Sequence, residues 1–229
     1  MNFVYIMVVG ISISFPLAFS RSERFGFGKQ IRLAWLAVFL SAIPFILWDI
    51  YFTHLQVWSF NSAYVLGFFL SNLPVEEVLF FISIPFSCLF IYQALKRYPN
   101  LALSSNPASS FWWLVSGLLV AIAFLNPEKM YTGSVCALGA ITSTYLAYSR
   151  PKFSGTLISA LILQYIPFFL VNGILTALPV VQYNDVETLG IRFGSIPVED
   201  SIYTLVLLAF PVLLYEKFLS HRLKRRALL

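Results

Sequence analysis

Charge is scarce in this chain of 229 residues, in which 11% of the residues are charged and 59% are hydrophobic. Soluble globular domains carry about 25% charged residues, so the composition predicts a membrane protein. The two cysteines, Cys88 and Cys136, are too few for a disulfide framework and lie within apolar runs. The net charge of +5 is what the loops of a membrane protein require, which excludes a nucleic-acid partner on charge alone.

Seven apolar runs approach the roughly 20 residues that a helix needs to cross a bilayer. They cover residues 3–20, 31–52, 75–95, 111–125, 131–148, 155–175 and 199–219. No basic residue precedes the first run, and Arg21 and Arg24 follow it, so we interpret it as a retained span and not a cleaved signal. The sequence therefore predicts an all-α, polytopic membrane protein with seven transmembrane helices.

Basic residues are distributed unevenly between the connections. Thirteen of the fifteen Lys and Arg residues lie on alternate connections, and the other two are Lys129 and Arg192. Cytoplasmic loops are enriched in Lys and Arg. We therefore expect an integral protein of the cell membrane with its N-terminus outside and its C-terminus in the cytoplasm.

The chain contains an internal duplication. A shift of 123 residues aligns the second and third runs with the sixth and seventh without a gap, so that IPFIL at 43–47 meets IPFFL at 166–170 and LPVEE at 73–77 meets IPVED at 196–200. Extending the shift backwards places the first run over the fifth. Each half is then a three-helix unit, and the fourth run connects them.

This duplication predicts the architecture. The first repeat covers residues 1–98, the connector 99–128 and the second repeat 129–229. Equivalent helices are four spans apart, so the repeats should be parallel and related by an axis along the membrane normal. In such proteins the ligand site lies between the repeats.

Acidic residues at the ends of apolar runs are costly and are therefore candidates for function. Asp49 ends the second run, Glu76 and Glu77 open the third, and Glu199 and Asp200 open the seventh. Adjacent helix positions point about 100° apart, so only one member of each pair can face a cavity squarely. We expect the matched Glu76 and Glu199 to border one shared cavity.

A helix start offers an alternative explanation of each acidic pair. Asn72 is a good N-cap residue, Pro74 is tolerated in a first turn, and carboxylates there complement the helix dipole. The repetition of the pair in a chain with ten acidic residues favours function without excluding this alternative.

No pattern indicates a metal or a cofactor. His54 and His221 lie far apart in the chain, and Gly26 and Gly28 lack the third glycine of a dinucleotide-binding loop. Lys217 lies at the end of the last run, so no lysine is available in mid-membrane for a retinal Schiff base.

Two copies of Pro-x-Glu-Glu/Asp that open a span, at 74–77 and 197–200, resemble the motif of the small integral-membrane lycopene cyclases. That family occurs as two three-span subunits or as a fused chain, and this sequence is similar to the fused form. The resemblance implies an isomerase, or intramolecular lyase, that converts the ψ-ends of lycopene to β-rings without redox change or cofactor. It leaves open ε-rings and a longer acyclic carotenoid.

The resemblance also implies roles for residues and partners. The candidate catalytic residues are the carboxyls Asp49, Glu76, Glu77, Glu199 and Asp200. The candidate substrate-binding residues are Phe80, Phe81, Tyr203 and Asn172, although ordinary packing explains each aromatic side chain as well. The partners implied are a carotenoid substrate, membrane lipid and other carotenoid enzymes.

Two other functions fit parts of the pattern. Parallel repeats of three helices with a connector are also the layout of SWEET-type sugar transporters. A sugar pathway requires polar residues through the middle of the spans, and these middles are apolar. An intramembrane prenyltransferase would need an Asp-rich magnesium site, which the sequence lacks.

Overall fold

The protein folds as a bundle of α-helices in the computed structural model, which describes residues 3–105 and 108–227. The seven α-helices of this part of the chain are α1 (Val4–Phe19), α2 (Ile31–His54), α3 (Val75–Arg97), α4 (Ala108–Leu125), α5 (Met130–Ser149), α6 (Ser154–Ala177) and α7 (Glu199–Ala227). Short 3-10 turns lie at Gly28–Gln30, Pro99–Leu101 and Asp185–Glu187. The prediction of seven helices is confirmed.

Five of the helices, namely α2, α3, α4, α6 and α7, are long and apolar enough to cross a membrane. Helix α1 is apolar but has 16 residues. The outer surface of the bundle exposes large apolar side chains, among them Ile11, Phe124 and Ile141. A surface of this kind suits contact with lipid.

The helix bounds repeat along the chain. Helices α2 and α6 both have 24 residues, and their first and last residues differ by the shift of 123 found in the sequence. Helices α1 and α5 begin at Val4 and Met130, which are 126 residues apart. The ungapped extension of the shift to the first helix was therefore wrong by three residues, because the second half has three fewer residues between the start of its first helix and the start of its second.

Helix packing places α3 and α7 at the centre. Helix α1 packs on α3 and α5 packs on α7, while α2 packs on α7 and α6 packs on α3. Each of these contacts has its counterpart in the other half. Helix α4 packs mainly on α5.

Short strands, absent from the all-α prediction, lie at the end of the bundle where α3 and α7 begin, called the strand end below. They form three antiparallel pairs: β1 (Trp58–Phe60) with β4 (Val181–Tyr183), β2 (Phe69–Leu70) with β3 (Leu73–Pro74), and β5 (Arg192–Phe193) with β6 (Ile196–Pro197). The pairing of β1 with β4 is centred on Ser59 and Gln182, which are equivalent residues. This ribbon therefore joins the two halves.

The start of α3 differs from the expected capped helix. Pro74 is the N-cap residue, and no side chain caps the helix. Asn72 instead donates a hydrogen bond to the backbone oxygen of Ile50 over 3.0 Å, which ties the β2–β3 turn to α2. Asn72 therefore does not act as the N-cap that the helix-start alternative assigns to it.

Candidate functional site

A largely apolar cavity of about 140 Å³ lies between the two halves near the strand end. Its lining contains three carboxyl side chains: Asp49 from α2, Glu77 from α3 and Asp200 from α7. Their residues are only 4%, 6% and 4% exposed. The fold thus collects three of the five predicted carboxyls around one cavity.

Asp200 accepts hydrogen bonds from three side chains. The hydroxyl of Tyr131 donates to Oδ1 over 2.6 Å, and Oδ2 accepts from Nδ2 of Asn172 over 2.6 Å and from the hydroxyl of Tyr183 over 2.9 Å. Donors directed at a carboxyl group stabilise its charged form. Burial raises the pKa of Tyr183, in β4, well above its usual value, and the charge of Asp200 raises it further, so this hydroxyl keeps its proton.

Glu77 and Asp49 have fewer donors. The hydroxyl of Tyr5 donates to Oε2 of Glu77. Oδ2 of Asp49 is buried without a hydrogen-bond partner among the described residues, and the indole of Trp58 lies close to this carboxyl. Glu77 lies close enough to Asp49 for a charge on one carboxyl to disfavour a charge on the other. Two neighbouring carboxyls in an apolar site are poorly stabilised when both are ionised, so such a pair tends to hold a proton.

The two clusters correspond between the halves. Tyr5 bonds to Glu77 as Tyr131 bonds to Asp200, and the two tyrosines are 126 residues apart, like the starts of their helices. Sequence reasoning missed Tyr5, Tyr131 and Tyr183. A shift of 126 applied to the first helix would have matched Tyr5 with Tyr131, whereas Tyr183 has Phe60 as its counterpart and no signal of this kind.

Glu76 and Glu199 point elsewhere. Both are fully buried, but neither belongs to the cavity lining. Oε1 of Glu76 accepts the backbone N–H of Leu66 over 2.5 Å, and Oε1 of Glu199 accepts that of Leu189 over 2.6 Å. The expectation that Glu76 and Glu199 border the shared cavity was therefore wrong, because these side chains fold back onto the preceding loops.

The loops held by these glutamates have matching geometry. Gly67 and Gly190 directly follow Leu66 and Leu189 and have φ values of 87° and 72°. Glycine adopts this left-handed conformation without the steric penalty that a Cβ atom would add. Thr132 donates a further hydrogen bond to Oε1 of Glu199 over 2.7 Å. The contacts of Glu76 and Glu199 thus fix the loops beside the cavity.

The four candidate substrate-binding residues, Phe80, Phe81, Tyr203 and Asn172, all line the cavity. The ring centroids of Phe80 and Phe81 lie 5.8 Å apart, and the two ring planes are perpendicular. The remaining lining is mostly apolar and includes Ile84 and Val171. Such a site can hold a hydrocarbon beside groups that give and take protons.

Comparison with known families agrees with the motif. A family model described as lycopene cyclase matches residues 2–95 and 128–218. The matched segments cover most of the two sets of three helices, and the unmatched segment between them contains α4. No curated protein and no solved structure matches the chain. The resemblance found in the sequence is thus confirmed at the level of the family.

Proposed function

Because the chain belongs to the lycopene cyclase family, we propose that it converts the acyclic ψ-ends of lycopene to β-rings by acid–base catalysis. The observation that carries this proposal is the set of three buried carboxyls, Asp49, Glu77 and Asp200, at one end of an apolar cavity. An apolar cavity suits a hydrocarbon substrate, and the carboxyls supply the proton chemistry that ring closure requires.

The Asp49–Glu77 pair acts as the acid. It transfers a proton to the terminal double bond of the ψ-end, and the electron pair of that bond forms the new C–H bond, leaving a tertiary cation. The neighbouring double bond then attacks this cation, which closes the six-membered ring and moves the positive charge to a ring carbon.

Asp200 acts as the base. Its three hydrogen-bond donors favour the ionised carboxylate, which removes a proton from the carbon next to the cation and leaves the ring double bond. One proton is added and one is lost, so the product is an isomer of the substrate. Release of the proton on Asp200 to solvent and return of a proton from solvent to the Asp49–Glu77 pair complete the cycle.

The aromatic lining protects the cation between these steps. Phe80, Phe81 and Tyr203 border the cavity, and the faces of aromatic rings attract positive charge through their quadrupoles. The apolar lining also excludes water, which would otherwise capture the cation as an alcohol. Glu76 and Glu199 contribute indirectly, by holding the loops through Leu66 and Leu189.

The same proposal includes a membrane arrangement. All seven helices span the bilayer as two parallel three-helix repeats about an axis along the membrane normal, with α4 as connector. The end opposite the strand end carries most of the Lys and Arg residues, which supports a cytoplasmic location for that end. The N-terminus and the carboxyl cluster then lie towards the outer face of the cell membrane.

The cavity fits the alternative functions less well. A sugar pathway needs polar groups along the whole passage, whereas the polar groups here gather mainly at the strand end of an apolar lining. A prenyltransferase needs carboxylates grouped for magnesium, and no group of three or more metal-binding side chains is arranged for a metal ion in residues 3–105 and 108–227.

Expression in bacteria that accumulate lycopene tests the proposal. Chromatography of their extracts should show monocyclic or bicyclic carotenoid with the wild-type chain and unchanged lycopene with Glu77→Gln. In deuterated water, the ring should gain deuterium at the carbon that is protonated first. Unchanged lycopene with wild-type protein that is folded in the membrane would refute the proposal.

A further inference from the structure

An apolar groove continues from the cavity along the bundle. Ser12, Ser87, Ile91 and Pro167 line both the cavity and a second pocket between α1, α3 and α6. This second pocket extends to Tyr98, just beyond the end of α3. At 1.5 Å per residue, Ser87 lies about 15 Å and Tyr98 about 31 Å along α3 from Glu77.

The side of the groove faces outwards. Its wall includes Phe15 and Leu163, which are 60% and 43% exposed on the surface that would meet lipid. A long hydrocarbon could therefore enter sideways from the bilayer. Its reacting end would reach the carboxyls while its remaining length lay along α3.

The equivalent groove of the other half is filled. By the shift of 123 residues, the counterparts of Val171 and Ser87 are Trp48 and Phe210. The ring of Trp48 lies 5.3 Å from that of Tyr203, and Phe210 lies 5.9 Å from Phe45. Large aromatic side chains thus occupy the space that small side chains leave open on the other side.

We propose that the groove between α1, α3 and α6 is the single binding site for the acyclic tail of the substrate, and that the small side chain of Ser87, with Val171 at the adjoining cavity, keeps it open. This inference rests on the proposed function, since it assigns the place of the part of lycopene that does not react. It predicts that the depth of the groove, and not only the carboxyl cluster, determines which substrates the enzyme accepts.

Closing the groove at Ser87 tests this inference. Ser87→Phe should lower the rate with lycopene at least about 10-fold. It should spare a short acyclic terpene that carries the same end group and is shorter than the roughly 15 Å from Glu77 to Ser87. Ile11→Phe is the matched control, because Ile11 precedes groove residue Ser12 but is 74% exposed on the outer surface. This control should retain the wild-type rate with both substrates.

The outcomes separate the possible errors. Full activity of Ser87→Phe with lycopene would overturn the groove assignment and would indicate that a lipid acyl chain occupies the pocket. An equal loss of activity with both substrates would also overturn it. If Ser87→Phe fails to insert, Ile91→Trp closes the same groove one turn further along and should show the same selectivity. A wild-type chain that cyclises neither substrate would instead mean that the proposed function is wrong.

Discussion

Asn172 donates a hydrogen bond to Asp200, with 2.6 Å between its Nδ2 and the carboxyl Oδ2. The equivalent pair in the first half is Asp49 and Glu77, two carboxyls without such a donor between them. The two halves therefore surround the matched residues Glu77 and Asp200 with different groups. In the proposed mechanism the first half holds a proton between two carboxyls, whereas the second half stabilises a carboxylate.

Replacement of Asp49 by Asn should give the first half the same pairing of an amide with a carboxyl that Asn172 and Asp200 form in the second half. The new amide can donate to Glu77 and stabilise its charge, so the pair loses its transferable proton. We expect the cyclisation rate to fall by about 10²- to 10⁴-fold while the protein still folds, as an amide already fits the equivalent position at Asn172. Initial rates at equal membrane expression measure this change.

The control for this variant is Asp185→Asn. Asp185 has a 70% exposed side chain and pairs with Arg192 away from the cavity, so its replacement should leave the rate unchanged. A wild-type rate for Asp49→Asn would show that Glu77 needs no carboxyl partner and would contradict the assignment.

Neighbouring Glu76 and Glu77 should behave differently when mutated. Glu76→Ala leaves the partly buried N–H of Leu66 without its carboxylate acceptor, which should cost about 1.5–3 kcal/mol of stability, whereas the folded fraction should remain active. Glu77→Gln should remain folded and lose at least about 10²-fold in rate. Thermal denaturation in detergent and rates per folded protein distinguish the two effects. Inactive but fully stable Glu76→Ala would return Glu76 to the catalytic group.

The sequence predicts the helices that carry this site better than the directions in which their side chains point. Apolar runs and the shift of 123 residues locate α2 and α6 closely, because both depend on long, continuous patterns. The choice between Glu76 and Glu77 depends on which way each side chain points, and that is decided by the loop at Leu66, which folds back onto Glu76. No helical periodicity contains this information.

The tyrosines that bond to these carboxyls could not be predicted from sequence patterns either. Tyr5 and Tyr131 contact the acidic residues across 72 and 69 positions of the chain, so no local spacing links them. Tyr183 reaches Asp200 because β4 pairs with β1, and strands of three residues are too short to give a pattern. Such contacts depend on how the helices assemble.

Replacement of Tyr183 by Phe should test the role of Asp200 as base. The change removes one of three donors, and a hydrogen bond to a charged group is worth about 1.5–3 kcal/mol, or about 10- to 100-fold in rate. The equivalent residue in the first half is Phe60, so the aromatic ring can be accommodated. We expect kcat to fall with little change in KM, because the hydroxyl acts on the carboxyl and not on the bound tail. A change confined to KM would assign Tyr183 to substrate binding instead.

A single open groove has a consequence for a substrate with two reactive ends. Trp48 and Phe210 fill the equivalent groove, so the enzyme can hold only one end at the carboxyls while the rest of the molecule lies towards Tyr98. The monocyclic product must then leave and bind again in the opposite direction before the second ring forms.

With lycopene in excess, monocyclic carotenoid should accumulate first, and bicyclic product should follow after a lag that lengthens as lycopene concentration rises, because fresh lycopene competes for the groove. Time courses resolved by chromatography measure both species. Bicyclic product that forms without a lag, at a ratio independent of lycopene concentration, would show that both ends react during one binding event and would contradict the single-groove arrangement.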